Sequence, residues 1–227
     1  MKKNAIIVAG GSGTRLGGDL PKQFQPLNGR PVLWWSLKAF HDEDPRTKIT
    51  LVLNPGYIQT WIEMFMSLPE EDQFVHELAE GGDSRTKSVK NGIILIPASD
   101  DELIAVHDAA RPLVTIDMIR EGWETAARHG AAIPAVPVTD SLRRLSDDGS
   151  VAVDRKDYVA VQTPQVFRAS VLDGSYEKNP DAVYSDDASA VEAAGFRPVI
   201  FKGSPRNIKV TNPGDIQIAS LLLRYPL

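Results

Sequence analysis

The chain has 227 residues, of which 42% are hydrophobic and 24% charged, and its formal net charge is −5. That length buries one good core, the acidic balance argues against a nucleic-acid coat, and no apolar run approaches the roughly 20 residues of a membrane helix. Cysteine is absent, which removes disulfides and thiolate metal sites and fits a reducing, cytoplasmic setting.

The stretch AIIVA (5–9) reads as a buried strand. It is too short for the apolar region of a signal peptide and runs directly into glycines. The loop GGSGTRLGGDLPKQF follows, with Arg15 and Lys22 among and after its glycines. Pro31 then suits the first position of a helix on which Leu33, Leu37 and Phe40 share a face. ITLVL (49–53) is a second strand. After a polar loop, a helix from about Arg85 carries Val89, Ile93 and Ile96 in register. LIAVH (103–107) is a third strand. Thr115 caps a helix with Ile116, Ile119, Trp123 and Ala127 on one face, and Gly130 ends it. AAIPAV (131–136) is a fourth strand. Ser185 is placed to cap SDDASAVEAAG, with acids in its first turn and Gly195 as its stop. Asn212-Pro213 opens a last helix.

Such alternation predicts an α/β fold: one mostly parallel, Rossmann-like sheet with helices on both faces. Ligands in such sheets bind beyond the carboxyl ends of the strands. The glycine loop and HDAARP (107–112) therefore open onto one edge. SLRRLSDDGSVAVDR (141–155) breaks the pattern. Two β-like runs flank Asp148-Gly149, a hairpin turn signal, which would pair Asp147 with Ser150 and Leu142 with Arg155. Its arginines suit a projecting arm, spanning 138–160, rather than a core element. So small a hairpin needs something to pack on, and a second copy of the chain, giving a homodimer, is the natural candidate. The whole of 1–227 is otherwise one domain.

The glycine loop is neither a Walker A loop, since no Gly-Lys-Ser/Thr occurs, nor a dinucleotide fingerprint, since the third glycine is replaced by Leu16. Its glycines still let backbone N–H groups form an anion-binding nest. Arg15 adds a bidentate fork and Lys22 a point charge.

GGSGTRLGGDLPKQF resembles the G-x-G-x-R…P-K loop of nucleotidyltransferases of the nucleotide-diphospho-sugar transferase type. Together with VHDAARP (106–112), Asp154-Arg155, TPQVF (163–167), DDASAVEAAGF (186–196) and NIKVT (207–211), it makes nearly the whole chain similar to the 2-C-methyl-D-erythritol 4-phosphate cytidylyltransferase family. The resemblance implies a magnesium-dependent enzyme of the non-mevalonate isoprenoid pathway that joins CTP to a polyol phosphate. It implies nucleotide contacts from Ala9, Gly10, Gly11, Arg15, Lys22, Gly82, Asp83, Ser88 and Ala109. Arg15 and Lys22 would neutralise charge on the phosphates. Asp108 would lie near the metal ion and the acceptor phosphate. Ser141, Ser185, Arg155 and Lys209 would complete the acceptor site, with Arg155 reaching into the partner subunit. The family pattern has threonine at 141 and 185, and alanine at Gly10.

The residues themselves leave plainer readings open. GGD is also a good surface turn, with Ser84 or Ser88 capping or lining a helix, and Ser185 is also a plain N-cap. Arg111 reads better as a structural partner of Asp108 than as an active-site cation, His107 as a packed histidine, and Thr163 as a residue that orders its loop. Two other activities fit parts of the sequence: a ribitol-5-phosphate cytidylyltransferase, on the stretch PKQFQPLNGRP, and a non-catalytic nucleotide-binding module. A nicotinamide-dependent oxidoreductase fails on the fingerprint.

Overall fold

The computed structural model describes residues 1–9 and 20–225. From strand β1 (Lys2–Ala9) the chain passes to a short pair, β2 (Pro26–Leu27) and β3 (Arg30–Pro31), and into helix α1 (Val32–Glu43). Strand β4 (Lys48–Leu53), helix α2 (Ile58–Met66), strand β5 (Glu77–Glu80) and helix α3 (Arg85–Ile93) follow. Next come β6 (Glu102–Asp108), α4 (Ile116–His129) and β7 (Ala131–Pro137). A hairpin of β8 (Leu142–Ser146) and β9 (Gly149–Val153) precedes β10 (Val159–Val161) and β11 (Gln165–Arg168). Helices α5 (Ala169–Lys178) and α6 (Asp187–Ala193), strand β12 (Val199–Lys202) and helix α7 (Pro213–Arg224) complete the order.

Eight strands form the central sheet in the order β10-β7-β11-β6-β1-β4-β5, with β12 beside β7. β1 runs parallel to β4 and β6, β4 to β5, and β7 to β12. β10 and β11 are the antiparallel members. The fold is the mostly parallel α/β sheet that the sequence predicts. Its registers bring Val8 opposite Asp108 and Ala9 opposite Leu53, so β1, β4 and β6 end at one edge.

Both faces of the sheet are covered, and that is why its central strands are apolar at consecutive positions. Ala5, Ile7 and Ala9 of β1 pack toward α1, α2 and α4, in a core that holds Leu37, Phe40, Trp61, Ile119 and Trp123. Ile6 and Val8 point the other way, toward α3, α5 and α6, with Val89, Ile93, Leu172 and Val191. Glycines allow two close approaches. A Cβ at Gly92 would lie 2.8 Å from Ile6 Cγ2, and one at Gly122 would lie 2.9 Å from Val166 Cγ2. Helix α4 begins and ends as its caps predict: Thr115 Oγ1 accepts from Met118 N, and Gly130 adopts φ +88. Asn212 and Asp215 form a capping box at α7.

Several local expectations are corrected. Pro31 precedes α1 as its N-cap rather than opening it, because it pairs with Pro26 in the β2–β3 pair. The polar loop after ITLVL contains α2 and the edge strand β5. Helix α3 ends at Ile93, and Ile96 is buried beyond it. Asp186, not Ser185, caps α6, because its carboxylate reaches the backbone N–H of Ser189. In the hairpin, Ser146 pairs with Gly149 and Leu142 with Val153, so the turn is Asp147-Asp148. Gly149, at φ +127, takes the positive-φ position at the start of the return strand. The arm is also shorter than 138–160, since Val159 and Ala160 pair with Pro137 and Val136 in the main sheet. Arg143 is satisfied across the hairpin by Ser150, through Nε–Oγ at 2.7 Å and Nη2–O at 2.8 Å. Leu145 and Val151 are left 83% and 53% exposed, one on each face of an arm that pairs with no other strand among the described residues.

Candidate active site

Three strand ends and one helix start converge on a cavity of about 580 Å³, lined by Ala9, Lys22, Gly82, Asp83, Arg85, Ser88, Asp108, Ala109 and Lys209 among others. The turn before α3 forms one wall. Gly81 N donates to Leu53 O at 2.6 Å, and a Cβ there would sit 3.1 Å from that oxygen. A Cβ at Gly82 would meet Lys87 Cβ at 2.4 Å. Gly82 N donates to Ser88 Oγ at 3.1 Å, Ser88 Oγ donates to Ser84 O at 2.8 Å, and Ser84 Oγ accepts from Lys87 N at 3.1 Å. The serines therefore do cap and line the helix. In doing so they fix a glycine turn whose backbone borders the cavity. Asp83 is exposed at its rim and paired with Lys87 Nζ at 2.6 Å.

Asp108, at the end of β6, is the centre of charge. Its Oδ2 accepts from Lys209 Nζ at 3.0 Å and from Arg111 Nε at 3.2 Å, while Arg85 Nε stands 3.9 Å from Oδ1. Burial alone would push this carboxyl upward, but Lys209, Arg85 and Arg111 outweigh it and hold the group far below the usual carboxylate range. Arg111 acts as the structural partner the sequence suggests, with its other arm on Asn207 O at 2.9 Å. His107 is fully buried between the Arg111 carbonyl and Thr163 Oγ1, and burial pushes its pKa down to about 4. It is a packed, neutral histidine. Thr163 Oγ1 also accepts the backbone N–H of Asp108 at 3.1 Å, which ties the end of β6 to the loop before β11.

The segment that carries Lys209 is tied down by backbone. Val210 N donates to Ala110 O at 2.8 Å, and the side chain of the buried Asn207 donates to Thr163 O at 2.9 Å. On the opposite wall, Gln23 Nε2 donates to Ala9 O at 3.0 Å beside Lys22, which opens a 3-10 turn. Lys22 is half-buried rather than fully exposed.

Of the site residues the sequence proposed, Ala9, Lys22, Gly82, Asp83, Ser88, Asp108, Ala109 and Lys209 line this one cavity. Gly10, Gly11 and Arg15 lie outside the described residues. Ser141, Arg155 and Ser185 do not line it. Both Ser141 and Arg155 lie on the arm, and the Arg155 guanidinium donates to Thr139 O at the arm's own base. Ser185 is exposed, its Oγ 3.4 Å from Ser189 Oγ. Sequence reasoning missed Arg85 and Asp187. Asp187 sits inside DDASAVEAAGF and Arg85 opens the helix after GGD, but neither stretch shows that they meet, at 2.6 Å.

A glycine turn on the cavity wall, a lysine and two arginines around a buried carboxylate, and their place at the carboxyl edge of a mostly parallel sheet define the site of an α/β nucleotidyltransferase. The sequence profile of the 2-C-methyl-D-erythritol 4-phosphate cytidylyltransferase family (IspD) matches residues 4–225. The 2-C-methyl-D-erythritol 4-phosphate cytidylyltransferase of Bacteroides thetaiotaomicron is 45% identical over 225 residues, 98% of this chain and 100% of the relative. That of Cereibacter sphaeroides is 40% identical over 98% of this chain and 97% of its own length. The crystal structure of the enzyme of that name from Thermus thermophilus aligns with a TM-score of 0.78 and 30% identity, covering 99% of this chain and 100% of the other. The chain belongs to the 2-C-methyl-D-erythritol 4-phosphate cytidylyltransferase family.

Proposed function

We infer that the chain transfers the cytidylyl group of CTP to 2-C-methyl-D-erythritol 4-phosphate, releasing pyrophosphate, as a step of the methylerythritol phosphate route to isoprenoids. Family membership supports this acceptor over ribitol 5-phosphate. The observation that carries the chemistry is the convergence of Lys22, Lys209 and Asp108 with the Gly82 turn in one cavity.

An oxygen of the acceptor phosphate attacks the α-phosphorus of CTP in line, the P–O bond to the β-phosphate breaks, and the electron pair leaves with pyrophosphate. A phosphate monoester is already anionic at neutral pH, so no general base is needed, in keeping with a neutral, buried His107. The protein positions the two phosphates and neutralises charge. The turn at Gly82, Asp83 and Ser88 and the backbone of Ala9 and Ala109 seat the nucleotide, with Gly10 and Gly11 beyond them in the loop. Lys22 and Arg15 neutralise the α-phosphate and the departing pyrophosphate. Lys209 orients the acceptor phosphate, held near its line of attack by Asp108.

The donor set fits a magnesium ion that arrives with the nucleotide. Asp108 offers one carboxylate oxygen, Oδ1, more than hydrogen-bond distance from Arg85. Among the described residues no group of three or more acidic or histidine side chains could hold a metal ion by itself. Mg²⁺ is commonly held in this way, by one or two carboxylates, substrate phosphates and water. When bound, it withdraws charge from the phosphates.

Ser141, Ser185 and Arg155 complete the acceptor site in this reading, with the partner subunit's Arg155 entering from the arm of a homodimer. The exposed apolar side chains Leu145 and Val151 on that arm support such packing. Cytoplasmic residence fits, as no helix among the described residues is long and apolar enough to cross a membrane. The test is magnesium-dependent pyrophosphate release from CTP, with methylerythritol 4-phosphate and ribitol 5-phosphate in parallel. Release with the first acceptor alone is expected. Release with ribitol 5-phosphate alone would keep the mechanism and overturn the acceptor.

A further inference from the structure

Arg85 opens α3, one residue after its N-cap Ser84, and lines the cavity beside Gly82 and Asp83. Its Nη2 donates to Asp187 Oδ2 at 2.6 Å, and Asp187 is fully buried at the start of α6, where Oδ1 accepts from Tyr176 Oη at 2.7 Å. On its other side Nε stands 3.9 Å from Asp108 Oδ1. Nη1 is buried with no hydrogen-bond partner among the described residues. A guanidinium placed only to neutralise Asp187 would have no reason to border the cavity, approach a second carboxylate and leave one buried donor unpaired, which is a cost.

Arg85, Arg111 and Lys209 face the carboxylates of Asp108 and Asp187, and the half-buried Asp186 also feels the charge of Arg85, so three cations meet three anions. Arg85 is the member shared by both carboxylates. Burial opposes its charge, but Asp187 and Asp108 outweigh this and hold it protonated above the usual arginine range. Both neighbouring walls have anchors besides Arg85. The glycine turn is anchored by Leu53, Ser84, Ser88 and the Asn91 side chain on Glu80 O. The start of α6 is held separately by Asp186 on Ser189 N, Gln165 on Asp186 and Ala188 N, and Thr86 on Tyr184 N.

We propose that Arg85 is a positioning residue for the transfer step: clamped by Asp187, it fixes the Asp108 carboxylate, and through it Lys209, against the acceptor phosphate. The proposal rests on the reaction given above. It assigns Asp187 and Tyr176 to the clamp and takes Arg85 out of nucleotide affinity. Removing the clamp lowers turnover and leaves CTP binding in place.

The test compares the wild type with Arg85→Lys and with the neutral pair Arg85→Gln/Asp187→Asn, which removes both members of the buried Arg85–Asp187 pair together. Melting temperature, CTP affinity by calorimetry with CTP alone, and kcat from pyrophosphate release are measured on each. The neutral pair is expected to fold and to bind CTP within about threefold of wild type, while kcat falls about 100-fold, the scale of a slight misplacement at a reacting centre. Arg85→Lys, which keeps a cation beside both carboxylates, is expected to recover about tenfold of that loss. A folded neutral pair with kcat at or above about a third of wild type overturns the proposal, and so does equal loss of CTP affinity and turnover. Should the neutral pair not fold, Arg85→Lys decides on the same thresholds. A wild type that binds CTP but releases no pyrophosphate with either acceptor refutes the reaction itself. An active wild type with an active neutral pair refutes only the role of Arg85.

Discussion

Asp108→Asn tests how the centre of the site is held. The substitution keeps the shape and one acceptor oxygen but removes the charge that faces Lys209, Arg111 and Arg85 together. Asp108 is 8% exposed, so solvent screens these pairs little. Breaking a buried ion pair from one side costs about 3 kcal/mol or somewhat more, and for a chain of this size that lowers the melting temperature by about 6–12 °C. The sign with pH follows from the depressed folded-state pKa. The carboxylate's contribution is complete above its unfolded value near 4 and is lost as pH falls toward the lower folded value. The gap between wild type and Asp108→Asn is therefore constant at neutral pH and closes below about pH 4. Thermal unfolding of both proteins from pH 7 down to pH 3 reads this directly. A melting temperature within about 2 °C of wild type at pH 7 would show that the three cations do not depend on this carboxylate, and the reasoning about the site would fail.

Other expectations can be checked with the same material. Gly82→Ala places a Cβ 2.4 Å from Lys87 Cβ, so the turn must shift, and CTP affinity measured by calorimetry should fall about tenfold or more. His107 is held neutral with its pKa lowered to about 4, so wild type should lose about 3 kcal/mol between pH 6.5 and pH 4 that His107→Gln does not lose. Unfolding curves at the two pH values compare them, and equal losses would place the proton elsewhere. Lys209→Ala should lower kcat strongly while thermal stability falls little, since its side chain is 42% exposed; near-normal turnover would remove it from the site. If Arg155 acts across a dimer, mixing Arg155→Ala with Lys22→Ala should restore roughly a quarter of wild-type turnover, because half the dimers are mixed and each has one intact site. No recovery after verified subunit exchange would place the site within one chain.

Much of the fold was legible in the sequence because consecutive apolar residues such as Ile6, Ile7 and Val8 have one reading in a short run bounded by turn residues. Thr115 and Gly130 marked α4 for the same local reason. The misses have tertiary causes. β5 is a short edge strand whose sequence, ELAE, has no apolar alternation, and it exists because β4 offers it a free edge. The hairpin turn moved by one residue because Gly149 serves the return strand better than the turn itself. Within the site, residues on one strand or turn, such as Asp108 and Gly82, could be named from motifs. Pairings across the sheet edge could not. Arg85 and Asp187 are far apart in sequence, and only the packing of α3 beside α6 brings a guanidinium to a carboxylate with no solvent between them.

The placement of the arm has a further consequence. Pro137, the last residue of β7, lies directly opposite Val159, the first of β10. The chain leaves the sheet and returns to it at one rung of the ladder, so residues 138–158 form a closed detour. A segment attached in this way is modular: it can lengthen, shorten or change its tip without altering a strand of the body. Replacing it with a tight turn would leave the sheet order and the nucleotide cavity intact and remove Ser141 and Arg155 together. In the reading proposed above, that graft would remove the arm's share of the acceptor contacts while Asp108 and Lys209 stay in the cavity of the body.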